Sequence, residues 1–215
     1  MRLETKAHAL EPSFAPIAAR YARMLGARGQ RRRARRALEA AWRAAPHPLL
    51  YEAYRGLYSD DPPLERLKQT ERLAAFQPDD IESRIALARA ALEARLWGEA
   101  RRHLMTSGAE HEDTAAPRLC RLMAELEEEE HGDHAAAHAW LARAAASPTP
   151  DPAWLCRVCR GETAHWDALC PNCRGFATLA WSGPVRPAPL RRAPPQALPL
   201  DATTLAPPLL PAKGG

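Results

Sequence analysis

The chain has 215 residues, a formal net charge of +4 and 26% charged residues. A chain of this length can bury a core as one or two domains without disulfides or metal. It has no run near the roughly 18 apolar residues of a membrane span and no secretory signal after Met1. We therefore expect a cytoplasmic protein without a transmembrane segment.

The charges are distributed unevenly along the chain. Residues 20–43 contain nine Arg and one Glu, whereas residues 110–133 contain nine acidic residues and two Arg. Arg outnumbers Lys by 27 to 3, so a coding bias accounts for part of the basicity. Such polarity favours the steering of protein partners over general affinity for nucleic acid.

Residues 1–13 are predicted to be the remnant of a repeat. The segment from Ala7 to Pro12 is typical of the end of a second repeat helix, and the first helix of that unit is missing. Either the chain is a fragment of a longer protein, or the open N-terminal repeat docks on another chain.

Residues 14–148 predict successive helices, because Ala and Leu recur at spacings of three and four without strand-like alternation. Ala34 and Ala100 lie 66 residues apart, close to two periods of about 33. This period, the small residues and the closing prolines are similar to tetratricopeptide repeats, whose helical hairpins bury their apolar faces against neighbours. The unit ending at Pro78 fits poorly, because Arg66 stands where a small residue is expected.

An arginine run lies on one of these helices. Apolar residues at helical spacing, including Ala34, Leu38 and Ala41, place the arginines of residues 28–36 on the opposite face. A solvated face is the favoured interpretation, followed by a surface for an acidic partner or anionic lipid, and then by a nucleic-acid site. The acidic run from Glu127 to Glu130 is interpreted as a solvated helix end.

Few other residues suggest chemistry. His131, His134 and His138 would form a face of metal or haem ligands on one continuous helix, but Gly132 and Asp133 predict a turn that leaves only His134 and His138 on one face. Cys120 lies on an apolar pattern and is predicted to be a buried small residue. The sequence has no phosphate loop, nucleophile elbow or paired-carboxylate motif, so we expect no enzymatic activity.

Four cysteines form the strongest motif. The sequence C-x-x-C-R-G occurs twice, and its cysteines are Cys156, Cys159, Cys170 and Cys173. This spacing predicts a tetrahedral four-thiolate site, with Zn²⁺ as the default metal and iron as the alternative. Four protein ligands leave no open position, so the metal is expected to be structural.

The residues around the cysteines predict a small folded module. The glycine after each C-x-x-C-R is expected to supply a positive φ. Trp154, Trp166, Phe176 and Trp181 are expected to form a miniature core and to contact the last repeat, with base stacking as the alternative. Residues 184–215 contain nine prolines and predict a disordered tail.

The predicted fold is therefore an all-α, tetratricopeptide-like solenoid followed by a small rubredoxin-like or zinc-ribbon metal knuckle and the tail. The predicted domains are residues 1–13, 14–148, 152–183 and 184–215. We expect the metal knuckle to close the end of the stack of repeats.

Helical repeats followed by a four-cysteine module resemble the C-terminal half of alphaproteobacterial HemY-type proteins, and more distantly LapB, a lipopolysaccharide assembly protein. The HemY-like match runs from about Ala7 to Pro184. The residues that carry it are Ala41–Pro48, Trp97–Arg101, Leu122–Glu127, Gly132 and Asp133, Trp140–Ala144, and Asp151 through Trp181. The resemblance implies a non-catalytic organiser of haem biosynthesis at the cytoplasmic face of the inner membrane.

These patterns favour a non-enzymatic scaffold that binds protein partners on its repeat surface, with haem-biosynthesis enzymes as the partners that the resemblance implies. The alternatives are a zinc-dependent nucleic-acid-binding adaptor, a LapB-like regulator of lipopolysaccharide assembly, and an iron-based electron carrier. Nucleic acid is the less favoured partner.

Overall fold

The computed structural model describes residues 2–109 and 115–182. Within them the chain is mostly helical and ends in a small antiparallel sheet. A π-helical segment, Met105–Ala109, follows α7. The elements are α1 (Arg2–Leu10), α2 (Ala15–Gly26), α3 (Arg31–Ala44), α4 (Pro48–Gly56), α5 (Pro63–Ala74), α6 (Ile81–Glu93), α7 (Trp97–Leu104), α8 (Pro117–His131), α9 (His134–Ala146), β1 (Ala153–Cys156), β2 (Glu162–Thr163) and β3 (Leu179–Ser182).

Neighbouring helices pack as pairs. Helix α2 packs on α3, α6 on α7 and α8 on α9, while α2 also contacts α4 and α6 contacts α8. Ala22, Ala34 and Ala100 are fully buried. Because a methyl side chain lets two helix backbones approach closely, these positions explain the spacing of small residues, and the predicted succession of paired helices is confirmed.

Helix boundaries follow local capping chemistry. The side chains of His47, Asp80 and Asp133 accept backbone N–H groups at the starts of α4, α6 and α9. Gly132 ends α8 with a φ of 64°, a left-handed conformation that suits glycine. The predicted turn between His131 and His134 is therefore confirmed, and the histidines do not share one helix.

Helices α4 and α5 are the exception that Arg66 indicates, because α5 packs on α6 and α4 packs on α2. The Arg66 guanidinium donates to Glu93 Oε2 of α6 over 2.8 and 3.1 Å and to the carbonyl oxygen of Asp61 over 3.1 Å. The Nε of Arg55 in α4 lies 2.9 Å from the other oxygen of Glu93. An ion-pair network thus joins α4, α5 and α6 where other pairs use small residues.

The buried residues of the helices form two clusters. Leu38, Trp42 and Tyr54 belong to the first, which lies among α2 to α5, and Leu104 and Met123 belong to the second, which lies among α6 to α8. Cys120 is also fully buried, as predicted. No helix in the described part of the chain has the length and apolar character needed to cross a membrane.

The expectation of an all-α fold is only partly confirmed. Residues 153–182 form a three-stranded sheet in the order β2-β1-β3, in which Trp154 pairs with Thr163 of β2 and Trp181 of β3. The division into domains stays a prediction, and the expected Pro-rich tail at 184–215 lies outside the described residues.

The acidic run at the end of α8 differs from the expected solvated helix end. Arg101 of α7 donates to both carboxylate oxygens of Glu127, over 2.6 and 3.1 Å, and to Glu130 over 2.8 Å. The side chains of Glu127 and Glu130 are 13% and 20% exposed. Two of the four glutamates therefore hold α7 against α8.

Candidate metal centre

The two C-x-x-C-R-G sequences fold into two equivalent turns. In the first, the N–H of Cys156 donates to the carbonyl of Gly161 over 3.0 Å, and the N–H of Arg160 donates to the carbonyl of Cys156 over 2.9 Å. Cys170, Gly175 and Arg174 repeat the same bonds over the same distances. β1 leads into the first turn, and an isolated bridge between Leu169 and Phe176 flanks the second.

The turns bring the four predicted cysteine sulfurs together. All four lie within 4.8 Å of one another, and the pairs Cys156–Cys173 and Cys159–Cys170 are separated by 3.7 Å. A tetrahedron of sulfurs about 2.3 Å from Zn²⁺ has edges of about 3.8 Å, whereas a disulfide is about 2.05 Å long. The four sulfurs could hold a metal ion, and each cysteine is free of a disulfide.

Hydrogen bonds to the sulfurs favour the thiolate form in the first turn. Contact with the Thr178 hydroxyl, 3.2 Å from Cys156 Sγ, and the N–H of Cys159 lower the pKa of Cys156 to about 6. The N–H of Gly161 and the Asn172 amide lower the pKa of Cys159. Spacing of cysteines gives no signal for Thr178 or Asn172, so sequence reasoning missed both.

The pKa of Cys173 shows that placing four thiol groups close together disfavours the thiolate form of one of them. The N–H of Gly175 lowers this pKa, but burial and the neighbouring cysteine sulfurs outweigh this and raise it to about 11. A cation among the sulfurs reverses this balance, because its charge stabilises all the thiolates at once. The donor set therefore fits a divalent metal.

The predicted role of the glycines is wrong. Arg160 and Arg174 carry the positive φ, at 62° and 61°, one residue before each glycine. Close approach requires a glycine only at Gly175, because a Cβ at Gly161 would meet nothing closer than 3.4 Å. A Cβ at Gly175 would lie 2.9 Å from Thr178 Cγ2. The left-handed conformation thus falls one residue earlier than expected. The backbone N–H groups of Gly161 and Gly175 bond to the sulfurs of Cys159 and Cys173.

Burial of the site is asymmetric. Cys156 and Cys170 are almost fully buried, Cys159 is partly exposed and Cys173 is exposed. The first cysteine of each turn, Cys156 or Cys170, thus lies on the buried side of the site, while Cys173 of the second turn lies on the exposed side.

The module packs on the first helices, which differs from the expected contact with the last repeat. Trp166 meets the ring of Phe14, which precedes α2, edge-on at a centroid distance of 5.3 Å. His47 at the start of α4 packs at 4.5 Å from Trp181 and 5.5 Å from Trp154. Phe176, which was expected in the core, is 75% exposed.

The segment that leads into the module is tied to α8. The Asp151 carboxylate accepts the N–H of Arg118 over 2.9 Å and pairs with the Arg121 side chain. Ser147 Oγ donates to the carbonyl of Ala115 over 2.9 Å. The chain therefore runs from the end of α9 past the start of α8 to the starts of α2 and α4, and the module braces this edge of the helical body.

Comparisons with known proteins find a curated relative whose name is that of a probable magnetosome protein. The chain is 34% identical over 144 residues to a probable magnetosome protein, Mms48, of Magnetospirillum gryphiswaldense. The aligned residues make up 66% of this chain and 31% of the relative. The chain thus spans about a third of the curated relative that it matches. A solved structure described as a MamA RS-1 ArsTM double mutant superposes with a TM-score of 0.41 and 12% identity, covering 67% of this chain and 80% of that one. No protein-family model matches.

These findings overturn the resemblance to HemY-type proteins and, with it, the more distant likeness to LapB. The relative is a probable magnetosome protein, and nothing found points to HemY. The expected haem-biosynthesis partners are left without support. Helical periodicity and paired cysteines are shared by unrelated proteins because they satisfy general packing and coordination rules, so they do not identify a family.

Proposed function

We propose that the chain is a non-enzymatic scaffold that binds other proteins, and that it serves in the magnetosome. The observation that carries the scaffold is the succession of packed helices from α2 to α9, in which α2–α3, α6–α7 and α8–α9 form pairs. Stacked hairpins present extended surfaces, and proteins of this architecture commonly bind partners on them. The magnetosome setting is supported by the printed name of the 34% identical relative.

The metal centre has a structural part in this proposal. A Zn²⁺ ion held by Cys156, Cys159, Cys170 and Cys173 would keep the two turns together, with iron as the alternative metal. When bound, the ion supplies charge neutralisation and cross-linking. The protein's own aromatic contacts then hold the module against α2 and α4.

The metal is tested by its content and spectrum in purified full-length chain. We expect one equivalent of zinc and no visible absorption. Visible charge-transfer bands with a reversible one-electron couple would instead identify iron and support an electron carrier. A chain that retains native aromatic packing in excess chelator, with no metal bound, would refute the structural role of the metal.

The scaffold is tested in magnetosome-forming cells. A tagged full-length chain is cross-linked in the cells, the magnetosome fraction is isolated, and cross-linked peptides are identified by mass spectrometry. We expect enrichment in that fraction and reproducible cross-links from α2–α9 to specific proteins. Equal distribution across fractions would refute the setting, and cross-links no more frequent than those of a tagged inert protein would refute the scaffold.

A further inference from the structure

A cavity of about 630 Å³ lies between the start of α3 and the exposed side of α5. Five arginines line it, and no acidic residue does. Such a volume is typical of pockets that hold a ligand of many atoms, and it is far larger than a single phosphate ion. The lining residues are Gly29, Gln30, Arg31, Arg32, Arg33, Arg35, Tyr58, Gln69 and Arg72.

The chain neutralises only part of this positive charge. Arg31 Nη2 lies 2.6 Å from Asp61, and the guanidinium stacks over the ring of Tyr58. Arg35 Nε is buried without a hydrogen-bond acceptor, and its nearest carboxylate, that of Glu39, lies 3.6 Å away. Within the described part of the chain, the side chains of Arg33 and Arg72 donate hydrogen bonds only to amide oxygens, those of Gln30 and Gln69.

Arg32 is the clearest case of an uncompensated charge. Its side chain is exposed and makes no ion pair or hydrogen bond within the described residues. Three consecutive arginines occupy the first turn of α3, which contains no acid, and Gln30 does not cap it with its side chain. Cations at this end oppose the helix dipole, a conflict that a bound anion relieves.

The acidic run of α8 is not available to relieve it within the chain. Arg101 holds Glu127 and Glu130, and Glu128 lies 3.4 Å from His134. Two acidic residues of α8 are thus paired with Arg101, whereas no acidic residue lines the α3–α5 cavity, and Arg32 has no partner within the described residues. The compensating anion is therefore expected from another molecule.

We propose that the α3–α5 cavity binds an acidic segment of a partner protein, with side-chain carboxylates accepting from its arginines. This inference rests on the proposed scaffold function and assigns it a binding site. Guanidinium groups spread over two helices suit several carboxylates in series. Tyr58 is only 6% exposed and offers no stacking face to a nucleic-acid base. A concave site also suits an inserted peptide better than a planar bilayer.

The test uses the full chain and a fluorescein-labelled peptide of six glutamates, followed by fluorescence anisotropy at low salt. Hexaglutamine is the uncharged control peptide. Arg32→Gln and Arg72→Gln each remove one cavity charge, while Arg36→Gln removes an exposed charge from the same helix outside the lining. We expect binding to weaken about 5-fold or more in the first two variants and less than about 2-fold in the third.

Equal weakening in all three variants would overturn the site, because it would show general electrostatic attraction. Tighter binding of tripolyphosphate, of vesicles containing phosphatidylglycerol or of oligothymidine than of hexaglutamate would overturn the choice of ligand. If hexaglutamate does not bind while cross-links from α2–α9 to partners persist unchanged in Arg32→Gln, the cavity is not the site and the scaffold stands. Absence of specific cross-links already in the unaltered chain would instead refute the scaffold.

Discussion

At the scale of single residues, the metal module shows that two copies of one short sequence can form the same turn and still differ in what surrounds it. Gly161 and Gly175 occupy matching positions after the two cysteine pairs. A Cβ at Gly175 would lie 2.9 Å from Thr178 Cγ2 and 3.4 Å from Cys173 Sγ, whereas one at Gly161 would meet nothing closer than 3.4 Å. Sequence predicts the same role for both glycines, but Thr178 crowds only the second.

Gly175→Ala is expected to destabilise the module, because the rigid β-branched Thr178 cannot move away without losing its contact with Cys156. The expected loss is about 1–3 kcal/mol, the usual cost of overpacking. Gly161→Ala is the matched control and should cost less than about 1 kcal/mol. Denaturant unfolding of the metal-loaded chain, monitored by tryptophan fluorescence, measures both. Equal losses of stability in the two variants would show that the close approach of Thr178 does not destabilise Gly175→Ala.

At the scale of helices and strands, polar residues replace packing where the repeat pattern fails. Arg66 stands at a position where other pairs have alanine, and its network with Glu93 and Arg55 fills the space between α4, α5 and α6. The misfit is visible in the sequence. The sequence does not show that Glu93 is the partner of Arg66, because its carboxylate lies 27 residues away along the chain.

Arg66→Ala is expected to lower the free energy of unfolding by about 1–2 kcal/mol. The pair is partly exposed, so the loss is smaller than the roughly 3–5 kcal/mol that follows removal of one partner of a fully buried pair. Lys68→Ala on the same helix breaks an exposed pair with Glu65 and should cost less than about 0.5 kcal/mol. Chemical denaturation followed by circular dichroism tests both variants, and similar losses would contradict the structural role of Arg66.

The contact between α4 and the module is expected to depend on pH through His47. Burial lowers the pKa of His47 to about 4 from an ordinary value of 6.5. Between these values the unfolded or undocked chain binds more protons than the packed one. Stability from the neutral ring is therefore complete above pH 6.5 and is lost as the pH falls towards 4, by on the order of 2 kcal/mol.

Tryptophan fluorescence from pH 7 to 4 measures this undocking. His47→Asn is the control, because asparagine can still cap α4 but does not titrate in this range. We expect the fluorescence change of the unaltered chain to be reduced in the variant. A change of the same midpoint and size in both would assign the transition to the cysteine site alone.

At the scale of the whole molecule, the metal module braces one edge of the helical body, which differs from the predicted cap on the last repeat. Trp154, Trp166 and Trp181 contact residues at the starts of α2 and α4, while the preceding segment is held at α8 through Asp151. The site is thus coupled to helix starts that lie more than 100 residues before it in the sequence.

Cys156→Ser is expected to remove the metal and loosen the module while α2–α9 stay helical. Hydrogen exchange should rise by about 10-fold or more at the starts of α2 and α4, which lose their aromatic cover, and should change little in α9. Cys120→Ala is the control, since Cys120 is buried away from the cluster and should leave metal content unchanged. Loss of helicity across the whole chain, or faster exchange confined to α9, would contradict this arrangement.

The sequence by itself determined the features that depend on local spacing. Alanine and leucine periodicity predicted the paired helices, Gly132 and Asp133 predicted the turn after α8, and two C-x-x-C pairs predicted which four sulfurs meet. Each depends on residues a few positions apart, where helix geometry and turn chemistry dominate. These features can be shared by unrelated families, which is why they suggested the wrong relative.

Only the tertiary structure decided where these parts meet. The contact of Phe14 with Trp166, the crowding of Gly175 by Thr178 and the cavity between α3 and α5 have no counterpart in any local pattern. The first and third join segments far apart in the chain, and the second depends on the exact path of a turn. Such contacts are selected by the packing of the whole chain, so they became visible only when all the elements were in place.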